Sequence, residues 1–251
     1  MLYVYGVVRD SRPPAGAKGV GSPPRDVRMV SSGPLAAPVS EIPGDFAVAE
    51  SDAHAHLHVL TALLRDGPVI PLRLGTVAPD DEAVRAEVLD AQRAAMLQRL
   101  DSLDGLVELH VDADDDEEEA IAAVSTAAPG AGARSVDLEA KLEFGEQIAA
   151  LLIEHRQALA QAILADLRPI AVTDTPRSLI EGPEDPVLRW AFLVQQDDLE
   201  LFDEAVVGVR SKHPSLAIHY VGPVPAAHFV DWQTSSEPDD DNFSGQGHWG
   251  W

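Results

Sequence analysis

The sequence predicts an α+β protein with two α/β-sandwich domains, and three observations carry this prediction. Short stretches rich in β-branched and aromatic residues alternate with longer stretches in which apolar residues recur every three or four positions. A run of small residues, 126–134, interrupts this alternation near the middle of the 251 residues. In addition, 45% of the residues are hydrophobic, which is enough for a core in each half.

The N-terminal domain, residues 1–125, is predicted to be ferredoxin-like, with a mixed sheet and two helices. Its predicted strands cover residues 2–8, a hairpin around Gly33, residues 69–77 and residues 105–111. Because proline has no N–H, Pro38 predicts an edge position for the second hairpin strand, and Pro71 predicts an edge or a bulge. Alternation places Ile70, Leu72 and Leu74 on one face of the third strand.

Two predicted helices follow the hairpin and the third strand. The first begins at Ser51 or Asp52 and ends at Arg65, with an apolar stripe formed by Ala53, Leu57, Leu60 and Leu64. The second is a long helix capped by Asp80 or Asp81. Its predicted stripe comprises Val84, Val88, Ala91, Ala95, Met96, Leu100 and Leu103. Carboxylates crowd the start of a short helix after residue 111, where they stabilise the helix dipole.

The C-terminal domain, residues 134–230, follows a linker at residues 126–133 and is predicted to be a small sheet packed on a long helix. That helix runs from about Asp137 to Leu167, and Pro169 ends it. Strands at residues 169–175, 187–194 and 215–222 and a helix at residues 198–212 complete the domain. Residues 231–251 contain five acids and no Lys or Arg, which predicts a flexible acidic tail carrying three tryptophans.

Composition narrows the classes of function. The absence of Cys excludes disulfides, thiolate metal sites and cysteine nucleophiles. A formal charge of −24 repels nucleic acid and anionic lipid surfaces. No apolar stretch approaches the roughly 20 residues of a membrane span, and no signal peptide precedes the first strand. We therefore expect a cytoplasmic protein without nucleic-acid or membrane partners and without a cofactor.

The histidines His54, His56 and His58 raise the question of a metal site. On a helix, His54 and His58 lie about 40° apart in projection, whereas His56 lies nearly opposite. At most two of them can therefore share a metal. The preferred interpretation is that all three are partly exposed histidines on the helix surface, and the alternative is a site completed by a ligand from elsewhere.

Other motifs for catalysis or ligand binding are weak. The acidic run that starts at Asp112 lacks the glycine and the final glutamate of a calcium loop, and no P-loop, nucleophile elbow or dinucleotide motif occurs. Arg73 beside Gly75 could bind an anion or brace the end of its strand against a carboxylate.

The order of several blocks resembles the gas vesicle protein F/L family. These blocks are "LYVYGVV", "AHLHVL" to "GPVIPLRLGTV", "KLEFGEQIAALL", and "AFLVQQDDLELFDEAV" to "HYVGPVPAAHFV", and they cover residues 1–230. In the "PLRLGT" block Arg73, Gly75 and Thr76 match, and His56 falls in the family's Ala-His-x-x-Val-Leu pattern. The C-terminal block departs from the usual Gly-Pro-Trp-Pro-Pro-Tyr-x-Phe because Val224, Ala226 and Ala227 replace its Trp, Pro and Tyr.

The resemblance implies a non-enzymatic accessory protein of gas vesicle formation. It would bind the small hydrophobic major shell protein, assist nucleation or assembly together with other accessory proteins, and, as in some members, occupy the vesicle wall. The residues that match family motifs are candidates for partner binding. They are His56, Pro71, Arg73, Gly75, Thr76, Gly222, Pro223, Pro225 and Phe229.

Two other functions stay open at the level of sequence. One is a metal-binding module or metal-dependent hydrolase using His54, His58 and nearby acids. The other is a small-ligand domain centred on Arg73.

Overall fold

A computed structural model describes residues 1–9, 16–125, 138–178, 182 and 185–230. They contain two antiparallel sheets with helices, which confirms the predicted α+β class. The predicted linker at residues 126–133 and the predicted tail at residues 231–251 lie outside the described residues.

The chain forms two compact units whose limits differ from a simple division into halves. Among the described residues, the first unit contains those up to Glu108 together with Pro223–Val230, and the second contains those from Leu109 to Gly222. The divisions fall inside β7 (Leu106–Asp114) and β10 (Ala217–Val224), because a strand can join different packing partners along its length. The domain limits read from composition, residues 1–125 and 134–230, stay a prediction.

The sheet of the first unit is built on a hairpin. Strands β3 (Arg28–Ser32) and β4 (Leu35–Glu41) pair antiparallel around Gly33, as predicted. On the other side of β4 lie β1 (Leu2–Val4) and β2 (Gly6–Arg9), end to end. Beyond them come the two-residue strands β5 (Ile70–Pro71) against β2 and β6 (Val77–Ala78) against β1. Pro71 therefore lies in an outermost strand of this sheet, as predicted.

The prediction that Pro38 marks an edge strand is wrong, because β4 has partners on both sides. The reason lies at Tyr5, between β1 and β2. Its N–H donates to the carbonyl oxygen of Pro38 at 3.1 Å, whereas its own carbonyl accepts from the N–H of Leu72 at 2.9 Å on the other side. The N–H that Pro38 lacks would point towards this break, so its absence removes no hydrogen bond from the ladder.

The limits of helix α1 (Glu50–Leu64) lie within two residues of the predicted ones, but its buried face differs from the predicted stripe. Leu57 is exposed, and His56 is buried together with Val59, Leu60 and Leu63. The prediction of three surface histidines is thus wrong for His56 and agrees with the exposed positions of His54 and His58. A hydrogen-bonded imidazole can take a core position, which hydrophobic periodicity alone does not show.

The second predicted helix is divided into two parts. The side chain of Asp80 caps α2 (Asp81–Ala83), which continues as a π-helical segment, Val84–Asp90; α3 (Arg93–Ser102) follows. Ala91 and Ala95 are exposed, contrary to the predicted stripe, and Leu89 is buried. A π-helix has more residues per turn than an α-helix, so the face that packs on the core shifts along the sequence.

The second unit contains a sheet in the order β10, β7, β9, β8, where β8 is Thr173–Pro176 and β9 is Leu188–Gln195. Its helices are α4 (Glu117–Ser125), the 30-residue α5 (Leu138–Leu167) and α6 (Leu199–Lys212). Helix α5 buries Leu152, Ala160, Ile163 and Leu164. Its length and its end before Pro169 agree with the prediction.

An almost fully buried ion pair connects α5 to the residues before α4. Arg156 donates from Nε to Asp115 Oδ2 at 2.8 Å and from Nη2 to Asp115 Oδ1 at 2.7 Å. The two side chains are 4% and 9% exposed. Such a pair compensates two desolvated charges only while both are present.

We expect Arg156→Met to lower the free energy of unfolding by about 3–5 kcal/mol, because it leaves the Asp115 carboxylate buried and unpaired. Urea denaturation followed by circular dichroism measures this change. The control is Arg168→Met, which breaks the ion pair between Arg168 and Asp174. Because the Arg168 side chain is exposed, the expected loss of unfolding free energy is under about 1 kcal/mol. Equal losses in the two variants would contradict the prediction.

Candidate partner-binding site

The "PLRLGT" block forms a tight turn between β5 and β6. Thr76 donates from its backbone N–H to the carbonyl oxygen of Arg73 at 3.1 Å and from Oγ1 to the same oxygen at 2.7 Å. Gly75 has a φ of +91°, a conformation that favours glycine. The result is a compact turn, residues 72–76, in which Arg73 and Leu74 are exposed.

A relay of hydrogen bonds through buried side chains holds this turn in place. The N–H of Gly75 donates to Tyr3 Oη at 3.1 Å, and Tyr3 Oη lies 2.8 Å from His56 Nδ1. The imidazole also bonds the backbone carbonyl of Leu72, which can only accept. His56 therefore donates to Leu72 from one ring nitrogen and accepts from Tyr3 at Nδ1, so the relay holds both ends of the turn.

Burial sets the charge states in the relay. Desolvation lowers the pKa of His56 to about 4, against the smaller opposing effect of its bond to Leu72. Desolvation likewise raises the pKa of Tyr3 to about 12. Both side chains are therefore neutral near pH 7, and the relay holds position without offering a general acid or base at that pH.

A second polar group supports the same part of the unit. Tyr5 Oη accepts from the N–H of Val20 at 2.8 Å and lies 2.8 Å from Ser40 Oγ. Because the Ser40 hydroxyl donates to the carbonyl of Asp26, Tyr5 must donate to Ser40. Asp52 accepts from the N–H groups of Gly21 and Ala49 at 2.7 and 2.8 Å, which ties the start of α1 to the preceding loops.

The outer surface of the turn is apolar. Leu74 is 45% exposed, and Val48, also exposed, lies beside Gly75, where a Cβ would meet Val48 Cγ2 at 3.4 Å. Phe46 is partly exposed and packs edge to face against Tyr3, with ring centroids 6.1 Å apart. We call the exposed surface of Val48, Arg73 and Leu74 the turn surface. It can contact another protein through apolar side chains beside one cation.

The other matched residues are distributed over both units. Pro225 and Phe229 are buried in the first unit, Pro223 is exposed there, and Gly222 belongs to the second unit. The buried Glu108 carboxylate holds their segment by accepting from the N–H of His228 at 2.9 Å and bonding His228 Nδ1 at 2.6 Å. Structure thus brings together His56, Pro71, Arg73, Gly75 and Thr76. Partner binding by any matched residue stays a prediction.

The two exposed histidines of α1 were the candidates for a metal site. Among the described residues, neither His54 nor His58 belongs to a group of three His, Asp or Glu side chains with ligand atoms within 4.8 Å. In the part of the chain that is described, no helix is both long enough and apolar enough to cross a membrane.

Comparison with known proteins decides the family. Residues 1–231 match the model of "Gas vesicle synthesis protein GvpL/GvpF". The chain belongs to the GvpL/GvpF family. It is 34% identical over 241 residues to gas vesicle protein F of Streptomyces sp. (strain CB03234), covering 91% of this chain and 99% of that protein. It is also 23% identical to gas vesicle protein F1 of Halobacterium salinarum (strain ATCC 700922 / JCM 11081 / NRC-1), over 94% and 95% of the two chains.

Solved structures of GvpF share this fold. The crystal structure from Anabaena sp. PCC7120 superposes with a TM-score of 0.76 at 21% identity, covering 92% of this chain and 95% of that one. The structure from Microcystis aeruginosa gives 0.74 at 18% identity, over 92% and 98%. Membership of the GvpL/GvpF family gives the chain a role in gas vesicle formation.

Sequence reasoning missed Tyr3, Tyr5 and Val48. A signal for the tyrosines was present, since Tyr3 and Tyr5 are two apart in the predicted strand at residues 2–8 and would share a face of it. Two phenols on a buried face need hydrogen-bond partners, and His56 is one of the few polar side chains available for that.

The lowered pKa of His56 predicts an acid-sensitive first unit. The unfolded chain takes up a proton on this imidazole near pH 6.5, whereas the folded chain does so only near pH 4. Titration of His56 therefore lowers the stability as the pH drops between these values, and it adds no pH dependence above them. Between pH 6.5 and 4, the wild type should lose about 3 kcal/mol more unfolding free energy than His56→Gln. Urea denaturation at a series of pH values tests this, and parallel curves would contradict it.

Tyr3→Phe tests whether the relay fixes the turn. The change removes the oxygen that accepts from Gly75, so we expect a loss of about 1–3 kcal/mol and faster hydrogen exchange at the Gly75 amide by NMR. Tyr220→Phe is the control, because Tyr220 donates to Asp203 in the second unit. If the Gly75 amide hydrogen of Tyr3→Phe exchanged at the wild-type rate, the relay would not be what fixes the turn.

Proposed function

We propose that this chain is a non-enzymatic accessory protein that binds the hydrophobic major shell protein of gas vesicles through the turn surface. In this role it keeps shell subunits dispersed and assists nucleation and assembly in the cytoplasm, beside other accessory proteins. Membership of the GvpL/GvpF family supports the role in gas vesicle formation, and one observation supports the turn surface as the binding site. Leu74 is held outward on a turn whose two ends are fixed by Tyr3 and His56.

The geometry favours side-chain contact over addition of a strand. Strands β5 and β6 have two residues each and are separated by the turn, and Pro71 cannot donate a hydrogen bond. Such an edge offers too few consecutive backbone groups to pair with a long strand. A fixed turn, in contrast, loses little conformational entropy when its side chains contact an apolar partner.

The acidity of the chain suits the same role. The formal charge of −24 keeps a complex with an apolar subunit hydrated and repels other copies. The family's members are named for gas vesicle synthesis, and no observation in the described residues favours a metal-dependent hydrolase at His54 and His58.

Co-expression of the untagged chain with the host's major shell protein tests the proposal. We expect the wild type to raise the soluble fraction of shell protein and to co-purify with it. Leu74→Glu should lower the recovered shell protein at least tenfold, because it places a charge in the apolar contact.

Leu57→Glu is the matched control. Leu57 is 43% exposed on α1 of the same unit, against 45% for Leu74, and the two changes add the same charge. The control should change recovery less than twofold, with both variants showing the wild-type circular dichroism spectrum. Equal recovery of shell protein with the two variants would refute the turn surface as the binding site. If the wild type had no effect on the solubility of the shell protein, the proposed function itself would be refuted.

A further inference from the structure

Three side chains that the proposed function does not use meet beside β7. Glu108 and His110 belong to this strand, and His228 lies in the segment that follows β10. One carboxylate oxygen of Glu108 and one ring nitrogen of each histidine all lie within 4.8 Å of one another. Two imidazole nitrogens and one carboxylate oxygen are the protein ligands of a known class of zinc site, which leaves a fourth position open to water.

The strand itself sets the spacing of two of these donors. His110 follows Glu108 by two residues, so both side chains leave the same face of β7 from Cα atoms about 7 Å apart. A carboxylate and an imidazole at that separation can both turn towards an ion between them. Because β7 is an inner strand of its sheet, its backbone is held on both sides, and ordering the two donors costs little entropy.

The third donor is held by the same carboxylate. Glu108 accepts from the backbone N–H of His228 at 2.9 Å and bonds its Nδ1 at 2.6 Å. The neighbouring Ala226 and Phe229 are buried, and the N–H of Phe229 donates to the carbonyl oxygen of Ala226 at 3.3 Å. The backbone around His228 is therefore fixed, and its imidazole already lies beside the carboxylate, which lowers the entropic cost of binding an ion.

Burial changes across the cluster in the way that a metal site requires. Glu108 is buried, His110 is partly buried, and the side chain of His228 is 38% exposed. A buried carboxylate attracts a cation strongly because little water screens its charge. The exposed imidazole lies on the path by which an ion enters from solvent, and water can reach the fourth position from the same side.

We propose that Glu108, His110 and His228 bind a zinc ion. Each imidazole binds the ion through a ring nitrogen that carries no proton, and its other ring nitrogen holds the proton. The carboxylate supplies negative charge, and a water molecule completes the tetrahedron. The bound ion fastens residues 223–230 to β7, so its role is structural. This role is separate from partner binding by the turn surface.

Titration of the full-length, untagged chain with zinc chloride tests the proposal. The protein is freed of metal with EDTA and dialysed into a buffer without chelator, and isothermal titration calorimetry then gives the affinity and the stoichiometry. We expect one tightly bound zinc ion per chain and a higher Tm in the presence of zinc, because a ligand that binds the folded chain stabilises it. Hydrogen exchange at the Phe229 amide should also become slower when zinc is added.

Two double variants with the same change in composition locate the site. His110→Gln with His228→Gln should weaken zinc binding at least about tenfold, because it removes two of the three protein ligands. His54→Gln with His58→Gln removes the two exposed histidines of α1 and should change the affinity less than about twofold, because the three proposed ligands remain. Circular dichroism spectra establish that both variants are folded.

A single variant tests the carboxylate. Glu108→Gln keeps a hydrogen-bond acceptor for His228 but removes the negative charge, so it should also weaken zinc binding at least about tenfold. Loss of zinc binding in the α1 double variant would assign the ion to His54 and His58 and overturn the proposal. Equal affinities of the wild type and of His110→Gln with His228→Gln would overturn it as well, and so would a wild type that binds no zinc.

Discussion

The hydrogen-bond relay from Gly75 through Tyr3 to His56 and Leu72 is the constraint on which the first unit depends. The side chains of Tyr3 and His56 are buried, and buried polar atoms are costly unless a hydrogen-bond partner is present. The relay satisfies them by joining β1, α1 and the turn between β5 and β6. The same hydrogen bonds therefore fix both the position of α1 on the sheet and the shape of the turn. The buried His56 thus helps to determine which side chains the turn exposes.

In the second unit, ion pairs compensate charges that are partly or almost fully removed from water. Arg156 and Asp115 meet in the interior, and on the sheet Arg177 and Arg189 each pair with aspartates of β7. Several of its cations are thus paired with nearby aspartates of the same unit, in a chain with 18 basic residues against 42 acids.

Much of this fold was predictable from sequence, and the exceptions have physical causes. The hairpin at Gly33, the limits of α1, the cap at Asp80 and the length of α5 follow from local signals that act within a few residues. Pro38 did not mark an edge strand, because the neighbouring chain is interrupted at Tyr5, opposite the position where the proline lacks its N–H. The burial of His56 in place of Leu57 depends on a tyrosine 53 residues away, and no local pattern reports a partner at that distance.

The end of the described chain belongs to the core of the first unit. Val230 packs in the same apolar cluster as Leu2, Val4 and Val39, and Glu108 holds the segment that leads to it. During translation, more than 200 residues must follow β1 before this cluster can close. The ribosome therefore adds most of both units before β1 reaches its final packing, which couples the folding of this strand to the synthesis of a segment far along the chain.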